Sequence, residues 1–579
     1  MCPDKNTTVA LSQKDIVRGR PMRLYSRWIF LVIVVIQVAW YCKDARDWCL
    51  WLPGLTICSA GLLADRRSYL CGNTLFWIVC LVLYVIAPAS QLQNDYFQGP
   101  ISVIGIQFSD TIIMNTVALA DIFMSAALLV QLILRRNNAI IQPVRYHVGN
   151  SAASEGATTP LPAAAPDASD VLPENDGISD ESVNSAEDNQ DYVLVDDPGE
   201  FGHMLGVDDA VIEAPQQAVK VGKCLEEVTA SASDAVSAIL QSRVLAMVML
   251  LISISVPVGM YFMVGSLDFV TNGRDYALSA ISDNSALVSF IKSFTQDMLV
   301  VLCLLGIERY IARRSTHNLF LIAAVAGCML IVINPFNTAR YQVGAVLIMA
   351  LLFIFRGRFP IALSYAGIAL YMYALMPAMN LLRYGLAGIQ GQKVAIGIDY
   401  NTLDYDCFSM FAFAVYRTGI DGFTYGKFTG SSMLFFLPRS LWPDKPKPSS
   451  SELGQYLMQH HSGWFDNLSC PPMGDGYMDF GIAGVLCMGA LFGLILERSD
   501  QVIDRWSQMT FVRRGLAAAF IAFIPILLRG SLGAVIGFVI APVVVLIILW
   551  LSAWLYCRTT INSTESRLAW EMRHLLRNY

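Results

Sequence analysis

The feature that most constrains this chain is the recurrence of apolar runs close to the length of a membrane span. Crossing a bilayer as an α-helix takes about 20 mostly apolar residues. Such runs lie at about 24–41, 48–64, 69–89, 111–134, 243–265, 287–307, 318–335, 341–355, 359–379, 478–497, 515–532 and 534–556, so about twelve spans are expected. The second and the eighth are the short ones. Composition agrees: 55% of the 579 residues are hydrophobic, 15% are charged, and the mean hydropathy is +0.50. Those values exclude a soluble globular class and point to an all-α polytopic membrane protein.

Charge distribution orients the spans. Arg18, Arg20, Arg23 and Arg27 precede the first apolar run and no small-residue cleavage site follows it, which reads as a retained span with a cytoplasmic N-terminus. Arg66 and Arg67, Arg135 and Arg136, Arg309 with Arg313 and Arg314, Arg356 with Arg358, Arg498 with Arg505, Arg513 and Arg514, and Arg558 with Arg567 then all fall on one side. An even number of spans places both termini in the cytoplasm. The expected organisation is a tail and spans 1–4 in residues 1–136, an insert at 137–241, spans 5–9 in 242–380, a large extracytoplasmic loop at 381–477, spans 10–12 in 478–557, and a cytoplasmic tail at 558–579.

The net charge of -6 has a local origin, because much of the acid sits in the insert. With few aromatic or basic residues, that composition cannot bury enough apolar surface to fold, and it is expected to be disordered. Partner docking and a tolerated insertion both fit it. Within the spans, Asp121 is a carboxylate near the middle of the fourth, where insertion costs roughly 2.5–3.5 kcal/mol. It suits either a functional group or one hydrogen-bonded inside the bundle.

The long loop holds the chemistry-bearing residues. Its centre is Pro438-Arg439-Ser440-Leu441-Trp442-Pro443-Asp444-Lys445-Pro446, whose prolines bar both a continued helix and a central strand. A stiff turn results, presenting an arginine fork suited to phosphate and a tryptophan face suited to a sugar ring. Trp and basic residues also gather where helices leave a bilayer, so an interfacial anchor fits the same stretch. Arg340 follows Pro335 at an outer helix start, against both the helix dipole and the positive-inside bias, so something anionic should offset it. Cys407–Tyr416 is an apolar helix too short to span and is expected along the outer interface.

The outer face gathers Arg340, Arg383, Arg417, Arg439 and Arg529, a set suited to a diphosphate whose lipid tail stays in the bilayer. Trp442, Lys445 and Trp464 are further candidates for binding substrate. Asp406, His460, His461 and Asp475 are candidate bases. His460 and His461 lack a third ligand at metal spacing, and no metal or cofactor is expected. No Walker loop, dinucleotide fingerprint, nucleophile elbow or HExxH is present. The 13 cysteines lie mostly inside the spans, whereas Cys407 and Cys470 share the outer loop, where a disulfide is left open.

Four stretches resemble the Wzy-type oligosaccharide repeat-unit polymerases, which include the O-antigen polymerases. They are PRSLWPDKP at 438–446, Asp404-Tyr405-Asp406, GDGYMDFGIAG at 474–484, and Arg529-Gly530. The layout of spans around one large outer loop also resembles the O-antigen ligases. The chain departs from that pattern where Gly474-Asp475 stands for an expected Gly-Glu and Asp479-Phe480-Gly481 for Asn-Phe-Gly. The resemblance implies a GT-C-like, metal-independent glycosyltransferase of the bacterial cytoplasmic membrane, joining undecaprenyl-diphosphate-linked repeat units on the outer face. Its partners would be lipid-linked oligosaccharides, a chain-length regulator and other polysaccharide-assembly proteins, with no nucleic acid. An O-antigen ligase, and a transporter or flippase of lipid-linked sugars, are the alternatives. A transporter would place charge and broken helices near the midplane and show internal repeats, whereas no repeat is seen and the cations here lie outside the spans.

If Arg439 grips phosphate with its fork, Arg439→Lys keeps the charge but lowers polymer output at least tenfold, and Arg439→Ala lowers it as far or further. The check is polymer formed per unit of membrane-inserted protein in a null strain. Near-normal output from both variants would reduce the motif to an anchor.

Overall fold

The computed structural model describes residues 13–94, 108–140, 242–264, 285–334, 338–382, 398–437, 441–460, 468–537 and 539–548, with Val270 and Leu551. Among them the secondary structure is helical, and the only β feature is an isolated bridge between Tyr69 and Pro360. Hydrocarbon offers no hydrogen-bond partners, so apolar runs satisfy their backbone internally as helices. In chain order these are α1 (Gln13–Tyr41), α2 (Ala45–Ala64), α3 (Gly72–Gln93), α4 (Asp110–Ile140), α5 (Arg243–Val264) and α6 (Ser285–Ala312). There follow α7 (Thr316–Val332), α8 (Arg340–Ile354), α9 (Ile361–Met379), α10 (Cys407–Asp421), α11 (Lys427–Met433) and α12 (Ser449–His460). The last are α13 (Pro472–Asp504), α14 (Phe511–Arg529) and α15 (Leu532–Ile548).

A helix stands at each of the expected apolar runs. Seven (α2, α3, α4, α5, α9, α13 and α14) are long and apolar enough to cross a membrane, while Tyr25–Tyr41 of α1, α7, α8 and α15 are shorter apolar helices. The short second run is thus one of the seven, and the eighth forms a helix of 15 residues. Outward faces carry large exposed apolar side chains such as Trp40, Phe262, Phe320 and Leu370, as a lipid-facing surface requires. This is a helical membrane protein. Of the insert expected at 137–241, residues 137–140 continue α4 and 141–241 lie outside the described residues.

The architecture turns on α13. It packs along α4 through Gly489 and Gly493, one helical turn apart, so close that an added Cβ would stand 2.3 Å from the Phe123 carbonyl and 2.5 Å from that of Ala127. Small residues at this spacing let two membrane helices touch backbone to backbone. α3 and α14 pack on the same helix. At its other end α13 is not straight. Phe480 and Gly481 leave helical geometry, Gly481 at φ 61°, and the chain reverses so sharply that Gly484 meets the backbone of Gly476. The expected start of the tenth span is therefore a short helical segment folded back on a longer one.

Two further expectations change. The third span was expected to end near Ala87-Pro88-Ala89, yet α3 continues to Gln93 through a π segment at Val82–Ile86. α9 has the same device at Tyr371–Leu375, ahead of Pro377. Each proline lacks an N–H and would clash with the carbonyl four residues earlier, Tyr84 or Tyr373, and widening the turn there relieves the clash. α10 does not lie along an interface: Cys407 through Val415 are all buried, and the helix packs between α4 and α13.

Gly489→Ala drives a methyl into the α4 backbone and is expected to cost at least about 2 kcal/mol. Gly367→Ala meets nothing within 4 Å and is expected to be neutral. Thermal unfolding of the two detergent-solubilised variants checks this, and equal melting temperatures would contradict the described α4–α13 contact.

Candidate functional site

The stretches singled out in the sequence are far apart in the chain, and the fold brings most of them to one end of the bundle. Asp406 immediately precedes α10 and is buried, and its side chain makes no capping bond to that helix. Its Oδ1 accepts from Ser469 Oγ at 2.5 Å and from Arg529 Nη2 at 3.3 Å, and its Oδ2 accepts from the Ser469 amide at 3.3 Å. Arg529 arrives from the last turn of α14, where its charge complements the negative helix end. Burial raises the Asp406 pKa above the ordinary carboxylate value, and Arg529 with the Ser469 hydrogen bonds offsets part of that rise.

Asp404, two residues earlier, forms the second pair. Arg340 donates to it through both terminal nitrogens, at 2.9 and 2.7 Å. This carboxylate is the anion that Arg340 needs at the start of α8. Tyr371 Oη further fixes α8 by donating to the Arg340 carbonyl at 2.9 Å. Asp404 also feels Arg529, so the two ion pairs belong to one cluster. Gln91 Nε2 holds the Asp404-Tyr405-Asp406 segment in place, donating to the carbonyls of Tyr400 at 2.7 Å and Tyr405 at 3.0 Å.

Asp475 joins the cluster through the chain after Arg529-Gly530. It is buried and accepts from Ser449 Oγ and from the Leu532 amide, the latter at 2.7 Å. Ser450 and Ser531 share a hydrogen bond of 2.8 Å beside it. The end of the proline-rich stretch is thereby pinned against the α14–α15 turn and α13. Asp479 plays a different part: its oxygens accept from the Phe428 and Thr429 amides at 3.1 and 2.7 Å and from Thr424 Oγ1 at 2.5 Å. It caps α11 from outside, using the donors that a helix start leaves free.

The structure separates other candidates from this cluster. Arg417 pairs with Asp421 and lies 3.8 Å over the Tyr456 ring, while the exposed His460 stacks on the same ring at 4.2 Å. Arg417 is roughly 16 Å along α10 from Asp406 at about 1.5 Å per residue. Neither Arg417 nor His460 therefore reaches Asp406. Lys445 donates to the carbonyls of Phe435 at 2.6 Å and Leu437 at 3.0 Å, which makes it a brace for the turn. Trp442 is half-buried beside it. Arg383, Arg439, His461 and Trp464 lie outside the described residues. Cys407 and Cys470 are buried free thiols.

Sequence reading missed a second polar end. Arg67 donates to Asp504 at 2.8 to 3.1 Å and stands 3.3 Å from Asp500 and 3.6 Å from Glu497; Arg135 pairs with Glu497 at 3.0 Å. Asp500 also accepts from the Gly72 and Asn73 amides at 2.6 and 3.2 Å. The available signal was spacing: residues 497, 500 and 504 fall on one face of a helix. The two ends lie far apart, since Arg514 and Arg529 are separated by roughly 22 Å along α14 at about 1.5 Å per residue.

No family model, curated protein or solved structure matches the chain.

The Asp406–Arg529 pair carries a signed pH prediction. A carboxyl whose folded pKa is raised contributes most stability below its ordinary value of 3.8 and loses it as pH rises through the folded value. Arg529→Gln removes the offsetting cation, so the folded pKa rises further and the loss on going from pH 5 to pH 8 grows. Removing one partner of a buried pair is expected to cost about 3–5 kcal/mol at neutral pH, most of it restored by adding Asp406→Asn. Unfolding curves at the two pH values read both effects, and additive single variants would show the pair to be uncoupled.

Proposed function

We propose that this chain is a membrane glycosyltransferase that polymerises lipid-diphosphate-linked oligosaccharide repeat units. In this reading the bundle has twelve spans, a GT-C-like fold, and its acidic and cationic cluster on the extracytoplasmic face of a bacterial cytoplasmic membrane. The observation that supports it is convergence. Asp404 to Asp406, Gly474 to Gly484, and Arg529 with Gly530 are the stretches that resemble the repeat-unit polymerases, and they meet at one end of the bundle through the Asp406–Arg529 and Asp475–Leu532 contacts.

The reaction this cluster suits is transfer of a growing glycan from its lipid diphosphate to a hydroxyl of a fresh lipid-linked unit. The acceptor oxygen forms a bond to the anomeric carbon of the donor. The bond from that carbon to the diphosphate breaks, and the lipid diphosphate leaves with the electron pair. The acceptor proton passes to a carboxylate, for which Asp406 is the proposed base. Its burial moves the pKa in the direction a base working near neutrality needs. Arg529 and Arg439 would stabilise the leaving charge, which cationic forks can do without a metal.

The described state adds a requirement. Arg340 and Arg529 are each paired with a carboxylate, and Asp406 and Asp475 have both oxygens in hydrogen bonds. A diphosphate must therefore draw Arg529 from Asp406, which leaves the carboxylate held by Ser469 alone and opens one acceptor position on Oδ1 as the substrate arrives. Asp475 in this scheme is a positioning residue that seats Ser449 and the α14–α15 turn.

A knockout analysed by gel electrophoresis of surface polysaccharide tests the proposal. Loss of the ladder with one repeat unit retained is the expected result. Retention of the ladder on the lipid carrier without attachment to lipid A core would point to a ligase, and absence of any repeat to export. Arg529→Lys and Asp406→Asn, complementing that strain at wild-type protein levels, are expected to lower polymer by at least about a hundredfold. Near-wild-type ladders from both would remove the cluster from the reaction.

A further inference from the structure

At the end of the bundle away from Asp406 and Arg529 lies a cavity of about 430 Å³, within the range of small-molecule sites. Its wall includes Glu308, Arg356, Arg358, Asp504, Trp506 and Arg514. The charges do not cancel locally. Asp504 is already occupied by Arg67 and by Tyr69 Oη at 2.5 Å. Glu308 stands 2.9 Å from Arg514 and also lies within electrostatic reach of Arg356, so one carboxylate is shared between two arginines. Among the described residues, neither Arg356 nor Arg358 has a carboxylate at ion-pair distance, and Arg358 lies only over the Tyr69 ring at 5.2 Å.

Two further features mark the wall. The indole nitrogen of Trp506 and the Nε of Arg514 are buried donors without an acceptor, and unsatisfied buried donors are uncommon in folded proteins. Arg356 also holds φ 50°, a left-handed conformation rare outside glycine, followed by Gly357 at 73°. This turn is locked against α13 and the segment after it, because a Cβ at Gly357 would stand 3.1 Å from Ile503 and from Trp506. Strained backbone of this kind persists where surrounding structure fixes it, and here it carries a cation into the cavity wall.

We propose that this cavity binds a phosphate group, with Arg356 and Arg358 as its principal ligands and Arg514 as a third cation. Guanidinium forks match phosphate oxygens, and two cations with no carboxylate at ion-pair distance suit a phosphate dianion. The wall also holds Ile311 and Ala312, and the large apolar Ile354 and Phe355 are exposed beside Arg356. A free phosphate and the phosphate of a lipid headgroup therefore present the same chemistry to the site. The proposal is independent of the glycosyltransferase reading and concerns the opposite end of the molecule.

The test uses the full chain purified in an uncharged detergent. Binding of inorganic phosphate is measured by calorimetry, and binding of phosphatidic acid in mixed micelles against a phosphatidylcholine control. At least one probe is expected to bind, and Arg356→Gln with Arg358→Gln is expected to weaken it at least tenfold. The pair Arg136→Gln and Arg498→Gln removes the same charge from positions that are exposed, as Arg356 and Arg358 are, but do not line the cavity, and is expected to leave affinity unchanged. A response to inorganic phosphate identifies a free-phosphate site, and a response to phosphatidic acid alone identifies a headgroup site. Should the first pair fail to fold, Arg358→Gln alone is expected to weaken binding at least threefold. Failure of both probes to bind, equal weakening by the two pairs, or unchanged binding in the Arg358→Gln variant would overturn the proposal.

Discussion

The backbone contact between α13 and α4 fixes most of what is polar in this protein. Gly489 and Gly493 let α13 lie directly on α4, so its axial position is set by main-chain atoms and not by adjustable side chains. Both ends of α13 carry carboxylates, Asp475 and Asp479 at one and Glu497, Asp500 and Asp504 at the other. Each carboxylate then finds partners from different parts of the chain. Hydroxyl and backbone donors meet the first pair, and Arg67 from the α2–α3 connection, Arg135 from the end part of α4 and the amides at the start of α3 meet the second group. A shift of α13 by one residue would misplace all of these contacts together.

How far the chain could be read without coordinates follows from the same physics. Apolar length forces helices in hydrocarbon, so the positions of the helices were legible, including the short second and eighth. The need for an anion beside Arg340 was legible too, because a cation at a helix start conflicts with the dipole. Which anion it would be was not, since Asp404 comes from a turn far along the chain. Ser449, Ser469 and Ser531 gave no signal at all: a serine in a loop is ordinary until a buried carboxylate faces it. α10 was misplaced because an apolar segment too short to span looks the same whether it lies on an interface or fills the interior. Only the absence of a polar stripe at Cys407–Val415 could have distinguished the two, and that argument needs the burial that the fold supplies.

Among the described residues, three arginines of the outer-face set sit in pairs with carboxylates. Arg340 with Asp404 and Arg529 with Asp406 sit in one cluster, and Arg417 with Asp421 sits at the far end of α10. Bare cations partly out of water would be costly, and pairing lowers that cost while keeping the guanidinium groups in place. An anionic ligand then competes with a carboxylate for each arginine. Under the proposed function, binding of the substrate and rearrangement of the cluster would be one event, favouring ligands that carry more charge than a single carboxylate.

The π segments ahead of Pro88 and Pro377 have a consequence beyond relieving a clash. Each accommodates one residue more than a regular α-turn, which rotates everything after it by about 100° about the helix axis. In α3 the residue so rotated is Gln91, whose side chain then faces the carbonyls of Tyr400 and Tyr405. Without the extra residue the same amide would sit about a quarter turn away, and those carbonyls would lose their donor. The proline thus acts as a phase setting for the helix. A defect in the middle of an apolar span decides, several residues later, what the end of that span can hold.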